Sequence, residues 1–472
     1  MTLVDDLRAL LGDRRVKYQP LELRIYGTDS GIARGIPIAV ALPESTEEVA
    51  ESVRLARKWD VPVVARGAGT GLAGGVVPME PALVIALTRM DRVEQVDRDA
   101  MTAWVGPGVI NLELSQQIAH LGVHFAPDPS SQAACTIGGN VGTNAGGPHC
   151  LSDGTTVVHI LGLEMVTVDG DILQLGGAAP DPIGLDLRAV VVGSEGTLGI
   201  VTRVMVKLTE NAPAVHTMLV AFNDIEHAAA AVSGIIAAGV IPAALEIMDQ
   251  PMVEAVENFT KAGLPTHAAA VLLAEVDGHP VAAEMEAGVV ASIARDNGAI
   301  EFRDAHNDAE RALLWKARKS AFGAVAQSAP DYYLHDTVVP RVHLVETLRK
   351  IYDIAERYGL DMLNVFHAGD GNLHPLVSFD SSDPEMLERV TAAAREMVIV
   401  SVEAGGSLSG EHGIGIEKRD LMSHVFGPID LDAQARLREA FDPRERLNPG
   451  KILPEGSRCY DYGLALNLQE EL

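Results

Sequence analysis

The stretch that decides the fold is 61-VPVVARGAGTGLAGGVV-77, in which a short apolar strand runs into a loop with five glycines. From Gly69 to Gly74 the spacing satisfies G-x-G-x-x-G, the pattern of a dinucleotide-binding turn. That turn should open a helix that receives a pyrophosphate, but Pro78 and Pro81 follow here and prevent a regular helix. We therefore predict a loop whose backbone N–H groups approach a phosphate directly. For this loop alone, a glycine-rich surface turn is an equal alternative.

Two further glycine-rich segments lie in the same part of the chain, Thr136–Gly147 and Gly193–Ile200. Glycine removes the side chain that would keep another group away from the backbone. Three separated segments of this kind indicate that the backbone approaches one large flat ligand at several points. A flavin dinucleotide would require such an approach.

The flanking segments predict an α+β chain with a domain boundary near residue 213. Helices are predicted at Leu3–Leu11 and at Thr46–Lys58, the second with Ser45 as its N-cap. After Pro213, strands and helices alternate, which is typical of a split βαβ, ferredoxin-like sheet. The predicted strands there are Met218–Phe222, Ala244–Met248, Val271–Val276, Ala299–Arg303, Tyr332–Val339 and Met362–His367, and the predicted helices are Ile225–Ala238, Val281–Asn297 and Ala309–Gln327.

The second half carries two motifs with metal-binding chemistry, His367–His374 and Ser409–Gly415. In the first, two histidines flank an Asp-Gly turn, and a tight hairpin can bring both imidazoles to one side. In the second, flanking glycines present Glu411 and His412. Two histidines and a carboxylate can hold Zn, Mn or Fe with open coordination positions. For the histidine pair alone, structural roles in the core and at a strand end are the favoured alternative.

The glycine segments give the chain its first resemblance. From about Gly35 to the C-terminus it resembles the vanillyl-alcohol-oxidase type of FAD-binding fold. The resemblance implies an FAD domain over 35–213 after an N-terminal segment 1–34, a substrate- and metal-binding domain over 214–455 with C-terminal helices, and a tail over 456–472. No histidine lies between Val61 and Val77, so non-covalent FAD is expected.

The same resemblance implies FAD-binding residues in three regions and near the C-terminus. The loop Arg66–Gly75 would hold the pyrophosphate, Pro127–Ser131 and Thr136–Asn140 would line the ribityl chain and isoalloxazine, and Glu195–Ile200 would reach the adenosine half. The residues implied are Arg66, Gly67, Ala68, Gly69, Thr70, Gly71, Pro127, Asp128, Ser130, Thr136, Gly138, Gly139, Asn140, Thr143, Asn144, Gly147, Glu195, Gly196, Gly199, Ile200 and Asn448.

A second resemblance rests on the two metal-type motifs together with Asn448–Lys451. These strings are similar to the FAD-linked D-2-hydroxyacid dehydrogenase group, and within it most similar to large flavoprotein subunits of bacterial glycolate oxidases and to D-lactate dehydrogenases. Arg318-Lys319, Asp331–Tyr333 and the tail Arg458-Cys459 also fit. The resemblance implies metal ligands His367, His374 and Glu411, a catalytic base His412, a carboxylate clamp Arg318, and substrate contacts from Lys319, Phe322 and Asp336.

The implied chemistry agrees with these residue types. Oxidation of a 2-hydroxy acid needs removal of the hydroxyl proton and transfer of the C2 hydride, which an imidazole, a divalent metal and an Arg fork can assist. Phe322 and Leu376 stand where relatives that oxidise D-2-hydroxyglutarate carry polar residues. A second carboxylate beside them would be unpaired, at a cost of several kcal/mol. We therefore predict glycolate or D-lactate as substrate.

Three other functions are compatible with these residues. Lys319, Arg341 and His335 could serve a second carboxylate, as in a D-2-hydroxyglutarate or D-malate dehydrogenase. A metal-dependent hydrolase could use the same ligands, but it would leave the glycine segments without a purpose. A non-catalytic FAD scaffold is disfavoured because Arg318 and His412 are both present.

The amino-acid composition limits the binding partners and the cellular compartment that can be expected. With 37 Lys+Arg against 65 Asp+Glu, the formal net charge of −28 disfavours nucleic acid as a partner and requires local positive charge for an anionic substrate. The three cysteines form no CxxC pair, so an iron–sulfur relay must lie on a partner, and a reducing cytoplasm is expected. Iron–sulfur and second FAD-fold subunits, another electron acceptor, a homodimer and attachment to a membrane through a partner stay open.

Membrane insertion of the chain itself is not expected. Met1–Arg15 lacks the basic head and apolar stretch of a signal peptide. Ala228–Leu245 is uncharged, but Pro242 interrupts it, so it is predicted to be a helix running into a strand rather than a membrane span.

Overall fold

The computed structural model describes residues 2–179, 184–327 and 329–455. The predicted tail and its Arg458-Cys459 pair lie outside these residues. The described residues divide into two compact units, which we call the first unit (within 1–145, 155–210 and 411–472) and the second unit (within 146–154 and 211–410). These limits differ from the predicted domains, because 146–154 joins the second unit and 411–455 joins the first.

The described helices are α1 Leu3–Leu11, α2 Pro20–Tyr26, α3 Thr46–Lys58, α4 Asn111–Ile118, α5 Ile137–Thr143, α6 Cys150–Asp153, α7 Leu187–Val191, α8 Ile225–Ala237, α9 Gln250–Thr260, α10 Pro280–Asp296, α11 Asp308–Lys319, α12 Ala321–Val325, α13 Leu344–Tyr358, α14 Pro384–Glu403 and α15 Pro428–Phe441.

The described strands are β1 Val16–Lys17, β2 Ala39–Ala41, β3 Val63–Arg66, β4 Leu83–Ala86, β5 Val93–Asp97, β6 Thr102–Val105, β7 Val123–His124, β8 Ile160–Val166, β9 Ile172–Gly176, β10 Ile200–Lys207, β11 Thr209–Glu210, β12 Ala214–Phe222, β13 Ala244–Asp249, β14 Ala270–Gly278, β15 Ala299–Asp304, β16 Asp331–Leu334, β17 Thr337–Val338, β18 Met362–His367, β19 Asn372–Leu373 and β20 Pro375–Phe379.

In the first unit, a small sheet carries the loop that opens the sequence argument. Its order is β1-β2-β4-β3, and β2, β4 and β3 are parallel. The apolar faces of α1 and α3 pack on this sheet in one core, and both helices have the predicted limits. Ser45 caps α3 as predicted, since its Oγ accepts a hydrogen bond from the Glu48 amide. Between β3 and β4 the described chain contains no helix, which confirms that the glycine loop is not a Rossmann turn.

A second sheet of the first unit supports the other two glycine segments. Its order is β5-β6-β10-β8-β9, with antiparallel pairing throughout. Residues of α4, α5 and α7 share its apolar core. The second glycine segment opens α5, and the third leads directly into β10.

The second unit is built on the predicted ferredoxin-like sheet. Its first four strands have the order β15-β12-β14-β13 and are antiparallel. Helix α8 connects β12 to β13, and α10 connects β14 to β15, so β14 is inserted between the strands of a split βαβ unit. Residues of α8, α10 and α13 pack with the sheet in one core. The sheet continues through β18, which pairs with β13 and leads into the β19 hairpin.

One predicted helix of the second unit differs from the structure, and the uncharged stretch agrees with its prediction. The helix predicted over 309–327 is two helices, α11 and α12, which meet at Ser320, the C-cap of α11 and the N-cap of α12. The uncharged stretch Ala228–Leu245 forms part of α8 and the start of β13, as the sequence predicts. No described helix is both long enough and apolar enough to cross a bilayer.

A buried carboxylate on β13 ties the sheet to its neighbours. Asp249 accepts hydrogen bonds from the Met252 amide at 3.0 Å, the Asn364 amide at 2.9 Å and the Tyr352 hydroxyl at 2.8 Å. Burial nevertheless raises the pKa of Asp249 from 3.8 to about 6, because it penalises the charged form more than these donors stabilise it.

This pKa predicts a pH-dependent stability. Since the folded state holds the Asp249 proton more tightly than the unfolded state, the contribution of this group falls as pH rises from about 4 to about 6. Each unit of separation between the two pKa values is worth about 1.4 kcal/mol. The difference in unfolding midpoint between the wild type and Asp249→Asn should therefore decrease as the pH is raised from 4.5 to 6.5. Above pH 6.5 the difference should stay constant. A constant difference over that range would contradict the assignment.

Candidate active site

The three glycine segments meet in the first unit. A Cβ added to Gly67 in the first would lie 2.5 Å from Thr136 Oγ1 in the second. The Glu195 amide in the third donates to the Gly142 carbonyl at 2.8 Å. A Cβ on Gly75 would come within 3.0 Å of Glu195 Oε2. The convergence predicted from sequence is therefore present.

Two glycines in these segments fit a ligand rather than protein packing. A Cβ added to Gly71 would meet no described atom within 4 Å. The same holds for Gly142 when the nearby backbone of its own helix is left out. Neither residue has a positive φ. Since neither a turn nor a packed neighbour requires glycine there, the bare backbone fits close approach by a phosphate or flavin.

Several predicted cofactor side chains are engaged within the protein. Arg66 Nη1 donates to the Thr28 carbonyl at 2.6 Å. Asn140 Oδ1 accepts from Asn111 Nδ2 at 2.9 Å, and that same amide group donates to the Pro127 carbonyl at 2.8 Å. The fully buried Asn111 therefore joins two predicted FAD regions, a role that sequence analysis missed.

The other predicted cofactor residues fall on the same scaffold with one exception. Asn144 Oδ1 accepts from the Val157 amide at 2.8 Å, and Gly147 belongs to the second unit. Those remaining lie in the first unit on the three segments or between β7 and α5: Ala68, Gly69, Thr70, Asp128, Ser130, Gly138, Gly139, Thr143, Gly196, Gly199 and Ile200. Their contacts with FAD stay predictions.

The C-terminal residues of the first unit lock these segments together. Asn448 Nδ2 donates to the Gly75 carbonyl at 2.7 Å and the Glu195 carbonyl at 2.6 Å. Lys451 Nζ donates to the Val77 carbonyl at 2.6 Å, and burial lowers the pKa of Lys451 to about 8. These bonds explain why 411–455 belongs to the first unit rather than to the predicted second domain.

The carboxylate of Glu195 holds the loop that carries the predicted base. Glu195 Oε1 accepts from the Ile414 amide at 2.8 Å, and its two oxygens accept from the Gly415 amide at 3.0 and 3.1 Å. Burial raises the pKa of Glu195. Glu411 and His412 immediately precede this anchored turn, and His412 Nε2 lies 4.0 Å from Glu411 Oε1. The cofactor contact predicted for Glu195 stays a prediction, and its carboxylate binds the backbone of this loop.

In the second unit, Arg318 is a buried cation with unused donors. It lies at the end of α11 and is 1% exposed. Its Nη2 is 2.5 Å from Glu246 Oε2. Its Nε and Nη1 are buried and have no hydrogen-bond partner among the described residues. An orphaned buried donor is costly, so these atoms fit an anionic ligand.

The two histidines of the first motif lie on the predicted hairpin. Strand β18 ends at His367, which pairs with Asn372 of β19. The imidazole centroids of His367 and His374 are 5.1 Å apart, with the rings perpendicular. His367 Nδ1 lies 2.8 Å from Glu246 Oε1, and His374 Nδ1 lies 3.2 Å from the His335 carbonyl.

These hydrogen bonds assign the same tautomer to both rings. Because a carboxylate and a carbonyl only accept, each Nδ1 carries the proton and each Nε2 carries the lone pair. A metal-binding histidine is usually fixed by such a bond from its other nitrogen. The donor set of the second unit therefore fits a divalent metal through His367 and His374, whereas Glu411 belongs to the first unit.

The predicted substrate residues are distributed differently. The fully buried Asp336 accepts from the Ser409 hydroxyl at 2.5 Å and the Gly410 amide at 2.9 Å, so it shapes the turn before Glu411. The Lys319 ammonium lies 5.8 Å from the centroid of the Trp315 ring. Phe322 is half-buried on α12. Their contacts with substrate remain predictions.

Glu246 is the main residue that sequence analysis missed. It lies in β13, where Leu245 and Ile247 belong to the apolar core, and it is 1% exposed. The signal was one acidic residue inside an apolar strand. Such a residue points to the opposite face of the sheet and needs a buried partner there.

Comparison with known proteins identifies the family. A model described as the C-terminal domain of FAD-linked oxidases matches residues 212–452, about half of the chain. An FAD-binding domain model matches residues 37–176. The chain belongs to the FAD-linked oxidase family. It is an FAD-linked oxidoreductase, and the predicted FAD-binding function is confirmed.

Several curated members of the family are similar over most of their length. The chain is 43% identical to glycolate oxidase subunit GlcD of Escherichia coli (strain K12), over 90% of this chain and 86% of that protein. It is 40% identical to GlcD of Bacillus subtilis (strain 168), with 90% and 91% covered. A D-lactate dehydrogenase of Anaerostipes hadrus is 31% identical, with 94% of both chains covered.

Solved structures confirm the vanillyl-alcohol-oxidase type of fold for this oxidoreductase. p-Cresol methylhydroxylase with bound substrate gives a TM-score of 0.81 at 17% identity and covers 96% of both chains. 4-Ethylphenol oxidase from Gulosibacter chungangensis gives 0.78 at 20% identity, with 96% of this chain and 97% of that chain covered. At these identities the likeness concerns the fold alone.

The placement of Glu195 predicts how its loss affects the enzyme. Glu195→Gln should retain FAD, because the carboxylate binds the 414–415 backbone, but should lower kcat about ten- to a hundredfold through misplacement of His412. FAD content by absorbance and turnover with an artificial acceptor measure the two effects. Loss of FAD with normal turnover after reconstitution would instead favour the cofactor role predicted from sequence.

Proposed function

We propose that the protein oxidises a small D-2-hydroxy acid, glycolate or D-lactate, to the 2-oxo acid, using FAD and a divalent metal and passing the electrons to an acceptor other than NAD. The observation that carries this proposal is Arg318, a buried guanidinium with two unpartnered donor atoms. It lies next to His367, which has a metal-ligand tautomer.

Arg318 supplies the positive charge that an anionic substrate needs. The chain has a formal net charge of −28, so its long-range field repels small anions. A buried guanidinium offsets that repulsion locally, and its planar donor array suits a carboxylate. Because Glu246 already occupies Nη2, the substrate carboxylate would bind through Nε or Nη1.

His412 is proposed as the base that takes the hydroxyl proton. Bound FAD would supply the hydride acceptor, so that the C2–H electron pair would leave with the hydride while the hydroxyl oxygen forms the C=O bond at C2. His412 adjoins the turn that Glu195 anchors, which supports a fixed orientation. General-base catalysis by a positioned imidazole contributes about 10² to 10⁴ in rate.

His367, His374 and Glu411 are proposed to hold the divalent metal. A metal at such a site supplies Lewis acidity and lowers the cost of removing the hydroxyl proton. The Nδ1 hydrogen bonds of both histidines support this role, because they direct the lone pair to Nε2. Two histidines and a carboxylate accept several ions, so Zn, Mn and Fe are all candidates.

Substrate size is the finer part of the proposal. Leu376 is fully buried in β20, and Arg341 Nη1 is engaged by the Gly369 carbonyl at 3.0 Å. Both features disfavour a second carboxylate and favour a small monocarboxylate over D-2-hydroxyglutarate or D-malate. The names glycolate oxidase subunit and D-lactate dehydrogenase among the relatives support the same substrate class.

Electrons are proposed to leave through a partner or an external acceptor. The two GlcD relatives are named as subunits, which supports assembly with further subunits, including an iron–sulfur subunit. A quinone, a cytochrome or oxygen as direct acceptor remains the alternative. We propose a cytoplasmic location.

A dye-reduction screen tests this function directly. The purified yellow protein should reduce an artificial acceptor with glycolate or D-lactate, and the rate should fall at least about tenfold after chelation and return with divalent metal. L-lactate, D-malate and D-2-hydroxyglutarate serve as matched substrates. Each of three results would contradict part of the proposal. These are a colourless protein, a rate that is unchanged after the chelator has removed all metal, and a preference for a dicarboxylate.

A further inference from the structure

Glu246 contacts both proposed ligand-binding groups of the second unit. Its Oε2 lies 2.5 Å from Arg318 Nη2, and its two oxygens lie 2.8 and 2.9 Å from His367 Nδ1. All three side chains are at least 97% buried. Water therefore cannot substitute for this carboxylate without rearrangement of the site.

The strand register creates this arrangement. Glu246 of β13 and His367 of β18 are direct Cα partners in an antiparallel pair, so their side chains lie on the same face. Arg318 reaches that face from α11, which Glu275 holds through Trp315 Nε1 at 2.7 Å. A slip of one residue between β13 and β18 would move Glu246 away from His367.

One carboxylate thereby sets the state of two groups. It holds Nη2 of Arg318 and so orients the other donor atoms of the guanidinium. It also accepts the Nδ1 proton of His367, which fixes the lone pair on Nε2 and makes that nitrogen a better ligand. Its negative charge lies beside the Arg318 guanidinium and the His367 imidazole, which is proposed to bind a cation. Arg318 Nη2 and His367 Nδ1 are 3.5 Å apart.

We propose that Glu246 is the positioning residue that couples the carboxylate-binding Arg318 to the metal-binding His367. This inference rests on the function proposed above and adds a residue to it. Without the carboxylate, the guanidinium would face the metal-binding imidazole directly, and cation affinity would fall through charge repulsion and loss of the fixed tautomer. The substrate carboxylate would also meet a guanidinium free to rotate.

The test measures cation binding apart from turnover. Metal-stripped, FAD-containing protein is titrated with Mn²⁺ or Zn²⁺ by calorimetry. Glu246→Gln should weaken binding about ten- to a hundredfold, the range found when a carboxylate behind a metal-binding histidine is removed. It should also raise the KM for the 2-hydroxy acid. Glu246→Asp, which keeps the charge, should recover part of both.

Glu275→Gln is the matched control. Glu275 is also a buried carboxylate, on the neighbouring strand β14, and it anchors α11 through Trp315 and Arg311. Among the described residues, Glu275 forms no hydrogen bond or ion pair with Arg318 or His367. This control should lower the melting temperature but leave the metal Kd within about threefold of wild type, since it removes no group next to the metal-binding His367.

Three results would overturn the inference. These are an unchanged metal Kd in folded Glu246→Gln, an equal loss of affinity in Glu275→Gln, or no measurable cation affinity in the wild type. Failure of the proposed function is distinguishable. A wild type that oxidises no 2-hydroxy acid but loses cation affinity on Glu246→Gln would refute the substrate assignment and keep the role of Glu246.

Discussion

The buried cluster of the Glu246–Arg318 ion pair and the His367 imidazole is the constraint on which the second unit's site depends. Removing such charges from water costs several kcal/mol for each ion, and a buried pair often stabilises a protein no better than apolar residues of similar volume. The cluster is therefore weak as a source of stability. Its value lies in geometry, because one carboxylate fixes a guanidinium and an imidazole that come from different elements.

The first unit meets an analogous constraint with backbone instead of charge. Three glycine segments must converge, and few of their residues have side chains that could hold them. Asn111, Asn448 and the Glu195 carboxylate supply the missing bonds by binding main-chain or amide groups across the segments. Glu195 extends this framework to the turn after His412, because its carboxylate accepts hydrogen bonds from the Ile414 and Gly415 amides.

Sequence patterns were sufficient where the physical signal is local. The capped helix α3, the split βαβ sheet and the loop that cannot open a helix all follow from periodicity, cap residues and proline positions. The FAD-binding character followed from glycine spacing together with family resemblance. The histidine hairpin followed from an Asp-Gly turn between two imidazoles.

Long-range partners could not be read in this way. Glu195 binds backbone 219 and 220 positions along the chain, and Asp336 binds a turn 73 and 74 positions away. Neither bond has a local signature, so the sequence did not predict that Glu195 and Asp336 bind the two turns that flank Glu411 and His412. Glu246 was visible only as an acid in an apolar strand, and its partners depend on the β13–β18 register.

The most direct test of this account is a crystal structure of the FAD-containing protein with a divalent cation and glycolate, kept reduced to prevent turnover. The account predicts that the glycolate carboxylate binds Arg318 through Nε or Nη1, that Glu246 keeps Nη2 and His367 Nδ1, and that His367 Nε2 ligates the cation. A carboxylate bound away from Arg318, or a cation bound without His367, would contradict it.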